Sequence, residues 1–348
     1  MKKLRFAVFG TGFWANYQIA AWNEVGGVEL VALYNRTKAK ATAMAEKFNV
    51  SAVYDDYERL LDKEQLDFAD IITDVDSHAA ITEAVAKRGI PVICQKPMAP
   101  KLPLAQRMVD VCREHNVPFF VHENWRWQAP MRKLKTLLNE KRIGEVFKSR
   151  VTFCSAFPVF DNQPFLAELD EFILTDIGSH ILDACRFLFG DAETLYCNVA
   201  TVNSKIKGED VANVMMRMKD GSTCYAEMSY ASIMERESFP QTYVLIEGSG
   251  GSIRLQHDYV IKVTTRDGTE TLIARPPQYA WADPKYALVH ASIVECNRDI
   301  LQSLQSSQGK GSHNAETIGT DNLETVRLVH AAYASARSNS MIRLSSFK

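Results

Sequence analysis

Short apolar runs bounded by turn residues alternate with longer amphipathic stretches through the first third of the chain, a pattern that predicts parallel strands joined by crossover helices. Strands are expected at residues 5–9, 29–34, 52–54, 68–73, 91–94 and 118–121, with helices at about 15–24, 37–48, 78–87 and 102–114. After a helix expected at 130–140 the pattern changes. A strand at 144–153, an irregular stretch rich in Phe, Pro and Asp, and a helix at 176–189 lead into runs at 195–202, 213–218, 223–230, 242–247, 252–256 and 260–265. Lys219-Asp220-Gly221, Gly248-Ser249-Gly250-Gly251 and Arg266-Asp267-Gly268 punctuate these runs, which read as an antiparallel meander. Helices near 284–304 and 321–335 close the chain, with a polar Gly/Ser linker at 306–314 between them. The expected architecture is α/β followed by α+β. Residues 1–123 form a doubly wound parallel sheet and 124–348 an open, mainly antiparallel sheet domain, leaving open whether the C-terminal helix packs back on the first domain.

Gly10-Thr11-Gly12-Phe13-Trp14-Ala15 lies between the first strand and the first helix, the context in which G-x-G-x-x-G/A has mechanical meaning. The first glycine permits a tight turn, the second lets the backbone approach a pyrophosphate, and the small Ala15 allows close helix packing. This is a Rossmann dinucleotide site, the other reading being an ordinary glycine-rich turn. At the end of the second strand, Tyr34-Asn35-Arg36-Thr37-Lys38 carries no carboxylate to bond the adenosine ribose. Asn35 can bond a ribose hydroxyl, and Arg36 with its neighbours can cradle a 2′-phosphate, which tilts the expectation for NAD(P) toward NADP. Arg36 stacked on adenine with NAD bound is the alternative.

Composition narrows the partners. Forty Lys+Arg against 42 Asp+Glu give a net charge of −2, without the clustered cationic excess that nucleic acid or an anionic membrane would call for. The seven cysteines are spread without a C-x-x-C pair, which fits reduced thiols in the cytoplasm better than a disulfide framework or a zinc knot. No apolar run approaches the ~20 residues of a membrane span, and the basic opening gives way to the glycine turn too early for a secretory leader.

Two groups of residues can do chemistry. Cys94-Gln95-Lys96-Pro97 follows a predicted parallel strand, and ligands of such sheets sit at the carboxyl ends of the strands. The alternative is a surface lysine. Thr175-Asp176-Ile177-Gly178-Ser179-His180 places Asp176 and His180 four residues apart, on one face if Asp176 opens a helix. A histidine can take the hydroxyl proton that alcohol oxidation releases near neutral pH. Two other readings compete: an N-cap aspartate with an unrelated core histidine, and a metal site with Asp183. No metal is expected, because no second histidine lies nearby.

Together these motifs resemble the Gfo/Idh/MocA family of NAD(P)-dependent oxidoreductases over nearly the whole chain. The likeness rests on Gly10-x-Gly12-x-x-Ala15, on His78 after the fourth strand, and on Lys96-Pro97 where the family has Glu-Lys-Pro. It rests also on Asn124-Trp125-Arg126-Trp127, on Gly144-Glu145-Val146, and on Asp176-x-Gly178-x-His180, which matches the family's D-x-G-x-H. The resemblance implies that Lys96 meets the substrate hydroxyl and nicotinamide region, that His180 is the general base, and that Asp176 orients both. It implies cofactor contacts from Gly10, Gly12, Phe13, Trp14, Asn35, Arg36, Thr73, Asp74, His78, Gln95 and Lys96. Asn124 and Arg126 match positions that line the family's cleft, with Trp125 and Trp127 beside them as lining or packing residues. Two departures stand out: Gln95 replaces the family's glutamate, and Thr73-Asp74-Val75-Asp76 replaces a Thr-Pro-Pro loop.

The expected function is a sugar or polyol dehydrogenase, oxidising an aldose to a lactone or an alcohol to a ketone. The substrate side is rich in aromatic and acidic residues, among them Phe153, Phe157, Phe160, Asp161, Tyr279 and Trp281. The alternatives are a non-catalytic dinucleotide- and sugar-binding sensor and an NAD-dependent glycosidase on the same fold. A homodimer or homotetramer is expected, with Met215, Met216, Met218, Tyr225 and Met228 as the apolar patch, burial under the chain's own helices being the other reading.

Overall fold

The computed structural model describes residues 3–237, 239–306 and 315–347. The expected linker at 306–314 therefore lies, apart from Ser306, outside the described residues. The chain divides into two compact units, Met1–Asn124 with Ile293–Val326 and Trp125–Ser292 with Arg327–Lys348.

In the first unit β1 (Leu4–Phe9), α1 (Phe13–Val25), β2 (Val28–Tyr34), α2 (Lys38–Phe48), β3 (Ala52–Tyr54), α3 (Tyr57–Lys63), β4 (Phe68–Ile71), α4 (Val75–Ala86), β5 (Val92–Gln95), α5 (Leu102–Glu114) and β6 (Phe119–His122) alternate strictly. Among the described residues the six strands pair in parallel in the order β3-β2-β1-β4-β5-β6. Strands covered by helices on both faces read as continuous apolar runs, and Phe6–Phe9 of β1 and all four residues of β4 are buried accordingly. The order reverses between β1 and β4, so the loops after those strands flank the switch point where doubly wound sheets bind ligands. The short helix α3 was not anticipated. Asp56 caps it by accepting from the Glu58 and Arg59 amides, but seven residues are too few to show a helical period.

The second unit contains α6 (Ala129–Asn139), β7 (Val146–Cys154), α7 (Val159–Asn162), α8 (Ile173–Phe189), β8 (Ala192–Ala200), β9 (Val211–Met218), β10 (Thr223–Ser229), β11 (Tyr243–Gly248), β12 (Gly251–Leu255), β13 (Val260–Thr265), β14 (Gly268–Ile273) and β15 (Ile342–Arg343). The helices α9 (Ala287–Ser306) and α10 (Gly319–Ser338) complete the chain. The strand order is β14-β13-β12-β11-β7-β10-β9-β8-β15. The sheet is mixed rather than a pure meander, because β7 and β10 pair in parallel while the other neighbours are antiparallel. The strands β14 and β15 were not expected; β14 is almost wholly exposed and lacks an apolar face.

Side chains alternate in and out along β9, burying Ala212, Val214, Met216 and Met218 in the core with α8 and leaving Asn213, Met215 and Arg217 outside. This corrects the expected apolar patch. Met216, Met218 and Met228 are core residues, and only Met215 and the half-buried Tyr225 remain on the outer side. No helix among the described residues is long and apolar enough to cross a membrane.

Candidate active site

At the switch point Gly10 has φ +104°, and a Cβ there would lie 2.5 Å from the Ile72 carbonyl oxygen, so the turn after β1 packs directly on the end of β4. Gly12 is the N-cap of α1. It offers no side-chain cap, the first turn holds no acidic residue, and a Cβ on it would meet nothing within 4 Å. A helix start without a side-chain cap or an acidic residue in its first turn suits a pyrophosphate, so the residues present fit a dinucleotide. Phe13 is exposed beside this turn and touches Trp14 and Tyr17 edge-on, with ring centroids 5.6 and 5.1 Å away.

The neighbouring polar side chains are tied to one another. The Asn35 amide donates to Thr11 Oγ1 at 2.8 Å and its Oδ1 accepts from the Thr37 amide. Arg36 reaches across to Asp74, Nη2 to Oδ2 at 2.7 Å. Asp74 is the N-cap of α4, yet its carboxylate turns to Arg36 instead of capping. His78 is 1% exposed; its Nδ1 faces the Pro97 and Met98 carbonyls and its Nε2 the Thr73 carbonyl. Burial holds its imidazole below the usual histidine range, against the opposing pull of those carbonyls. The ring therefore links the loops after β4 and β5. Lys96 follows β5 half-buried, its amide donating to Gln95 Oε1 at 3.1 Å.

The second unit holds the other motif. Helix α8 begins at Ile173, three residues before the expected start, so Asp176 lies in its first turn and does not cap it. The cap comes from afar. Glu209, 6% exposed, accepts from the Phe172 and Leu174 amides at 3.3 and 3.2 Å, and Tyr333 donates to Glu209 at 2.8 Å. Gly178 lets the helix settle on β10, since a Cβ there would lie 3.2 Å from the Met228 sulfur. Asp176 and His180 share a helix face by their spacing. The Tyr230 hydroxyl donates to Asp176 Oδ2 at 3.1 Å. His180, 6% exposed, stacks on the Trp125 ring at 4.6 Å and 24°, and the Trp125 indole donates to Thr242. Trp125 is thus a packing platform.

The side chains expected on the substrate side have the following surroundings. The Arg126 guanidinium grips Asp183 through Nε at 2.8 Å and Nη2 at 2.6 Å, both residues buried. That pair fastens the 125–127 turn to α8 and engages the acid that a metal reading would have needed. Among the described residues no group of three or more His, Cys, Asp or Glu could hold a metal. Phe153 is 1% exposed and packs against Trp125, Tyr230 and Phe239. Asp161 is exposed on α7, and Asn124 is 7% exposed at the end of the first unit. Ring contacts continue from Phe239 to Tyr286, His290, Trp281 and finally Tyr279, which stacks on Trp281 at 5.8 Å. Tyr230, Glu209 and Tyr333 went unnoticed in the sequence. Each sits in an ordinary amphipathic or loop context, and only the tertiary fold brings it to α8.

Comparison with known proteins settles the family. Residues 4–123 match the model of an oxidoreductase family with an NAD-binding Rossmann fold, and residues 131–254 match the GFO/IDH/MocA C-terminal domain. The chain belongs to the Gfo/Idh/MocA oxidoreductase family. Over all 348 residues it is 40% identical to a D-apiose dehydrogenase of Paraburkholderia graminis, covering 92% of that protein. A D-apiose dehydrogenase of Rhizobium rhizogenes is 39% identical over 97% of this chain and 96% of its own length. An oxidoreductase from Agrobacterium radiobacter, solved with NAD+, L-tartaric acid and magnesium, superposes with a TM-score of 0.97 at 37% identity over the full length of both chains. As a Gfo/Idh/MocA member the chain is an NAD(P)-binding oxidoreductase with the two-sheet architecture of its solved relatives.

Proposed function

We propose that this Gfo/Idh/MocA member is an NAD(P)-dependent sugar dehydrogenase that oxidises a C–OH group of an aldose such as D-apiose, with Lys96, Asp176 and His180 as its catalytic groups. The observation that carries this reading is the seating of His180. Its imidazole lies nearly enclosed on the Trp125 face, one turn from an Asp176 carboxylate that the Tyr230 hydroxyl holds in place.

The dinucleotide, bound at the glycine turn, supplies the acceptor for the hydrogen and electron pair leaving the substrate carbon. The chain supplies the rest. His180 takes the hydroxyl proton, and its stacked ring has few orientations in which to do so. Asp176 accepts a substrate hydroxyl and keeps the imidazole oriented. The Lys96 ammonium favours the negative charge that develops on the substrate oxygen. Aromatic rings such as Tyr279 and Trp281 offer faces for the C–H side of a sugar.

For the cofactor we favour NAD. Asp74 sets a carboxylate against Arg36, so the cation that would receive a 2′-phosphate already has a partner, and the relative with a TM-score of 0.97 was solved with NAD+. No disulfide joins the seven cysteines, which supports a reducing compartment such as the cytoplasm. The sensor and glycosidase readings lose ground to the D-apiose dehydrogenases found along the whole chain.

The test is reduction of NAD and NADP, followed by absorbance, against D-apiose and a panel of aldoses and polyols. Turnover of at least one aldose is expected, and His180→Ala and Lys96→Ala should each lower kcat by about 10²-fold or more. Either variant turning over at the wild-type rate would remove that residue from the reaction.

A further inference from the structure

The end of β5 carries a buried polar chain that the reaction does not use directly. Gln95 Nε2 donates to Gln18 Oε1 at 2.6 Å and faces His122 Nδ1 at 3.3 Å, while Gln95 Oε1 accepts from the Lys96 amide. Gln18 Nε2 lies 2.7 and 2.8 Å from the two Asp70 oxygens, and the Trp22 indole donates to the same carboxylate at 2.8 Å. At the other end His122 Nε2 meets Asn297 Oδ1 at 2.9 Å, and Asn297 Nδ2 donates to the Gln18 carbonyl. Gln18, Asp70, His122 and Asn297 are each 1% exposed or less.

The donors and acceptors of this chain run in one direction. An ionised carboxylate only accepts, so Asp70 obliges Gln18 to turn its NH2 inward and its carbonyl toward residue 95. Residue 95 must then donate. The second end makes the same demand independently. Asn297 spends its NH2 on the Gln18 backbone and offers its oxygen to His122, so His122 carries its proton on Nε2 and presents an unprotonated Nδ1 to residue 95. Glutamine meets both demands with one NH2 group and still has an oxygen for the Lys96 amide. A glutamate carboxylate would bring lone pairs against Gln18 Oε1 and His122 Nδ1, both on buried side chains, where a mismatched polar group is costly.

We propose that Gln18, Gln95, His122 and Asn297 form, with Asp70, a positioning network for Lys96, and that this network makes glutamine the working residue where the family has glutamate. The carboxylate of this network is Asp70, two links from residue 95 through Gln18. The role assigned to Lys96 rests on the function proposed above; the direction of the network does not.

The experiment combines Gln95→Glu, Asp70→Asn and the double variant, all at about pH 8.5, with 15N NMR of histidine-labelled wild-type protein. The wild-type spectrum should show His122, assigned by its loss in His122→Gln, as the neutral tautomer protonated on Nε2. Gln95→Glu should lower the unfolding midpoint by about 5 °C or more and kcat by about tenfold or more, with the KM for cofactor within about twofold. Adding Asp70→Asn should restore part of both, because Gln18 can then turn over, accept from the new amide at position 70 and donate to the new carboxylate at position 95, while His122 Nδ1 still meets that carboxylate. A residue that merely fills space would show no such rescue. A Gln95→Glu protein equal to wild type, an Asp70→Asn change that brings no recovery, or His122 protonated on Nδ1 would each overturn the network. If Gln95→Glu fails to fold, the wild-type tautomer decides. If no aldose is turned over, the dehydrogenase reading fails while the midpoints and the spectrum still judge the network.

Discussion

The contact between Arg36 and Asp74 shows how one side chain redirects another. Read alone, Asn35-Arg36-Thr37-Lys38 looks ready for a 2′-phosphate. In the fold, the loop after β4 brings a carboxylate to the guanidinium. Both side chains are largely exposed, so the pair is worth at most about 1 kcal/mol, enough to bias the choice of cofactor without fixing it. Asp74→Ala should therefore raise kcat/KM for NADP relative to NAD by up to about fivefold. An unchanged ratio in the two steady-state assays would show that Arg36 does not face the ribose. Asp176 and His180 were legible because their spacing on a helix is a local fact. The partners that hold them, Tyr230 and Trp125, were not, because tertiary structure alone supplies those contacts.

At the scale of elements, strands and helices of the first unit other than α3 emerged from periodicity to within a few residues, while α8 shows where periodicity fails. Its start was placed at Asp176, the nearest capping residue in sequence, but Glu209 caps it from another segment. Strand β4 carries a second hidden feature. Burial raises the Asp70 carboxyl from the usual 3.8 to about 7, the bonds from Trp22 and Gln18 pulling the other way. Between about pH 4 and pH 7 the native state then holds a proton that the unfolded chain has lost, so stability falls as pH rises through that window. Across the whole window the loss approaches about 4 kcal/mol. Unfolding midpoints measured from pH 5 to pH 8.5 should decline in the wild type and stay much flatter in Asp70→Asn. Parallel curves for the two proteins would place the titration elsewhere.

Over the whole molecule, the succession of an alternating α/β half and a sheet-rich half was readable from turn spacing and run length. The first unit also takes back residues 293–326, a return the sequence left open for the C-terminal helix. Nothing in a local pattern announces that return. Its contacts are backbone and side chain alike. The Val121 amide donates to the Thr317 carbonyl, Phe120 bridges Ile318, a Cβ on Gly319 would lie 2.2 Å from the Phe119 ring, and Asn297 reaches His122. A fragment ending at residue 123 should therefore precipitate or stay partly unfolded, as judged by near-ultraviolet circular dichroism and solubility, whereas the intact protein folds. A soluble, cooperatively melting fragment would show that the returning segment is dispensable.

That edge of β6 also sets an order of events during synthesis. A ribosome delivers the first six strands long before it delivers Thr317 and Ile318, so the growing sheet waits with one border unfinished while some two hundred further residues emerge. A bare strand border invites pairing with the wrong chain. Slowing elongation late in the message would lengthen the time this border stays open.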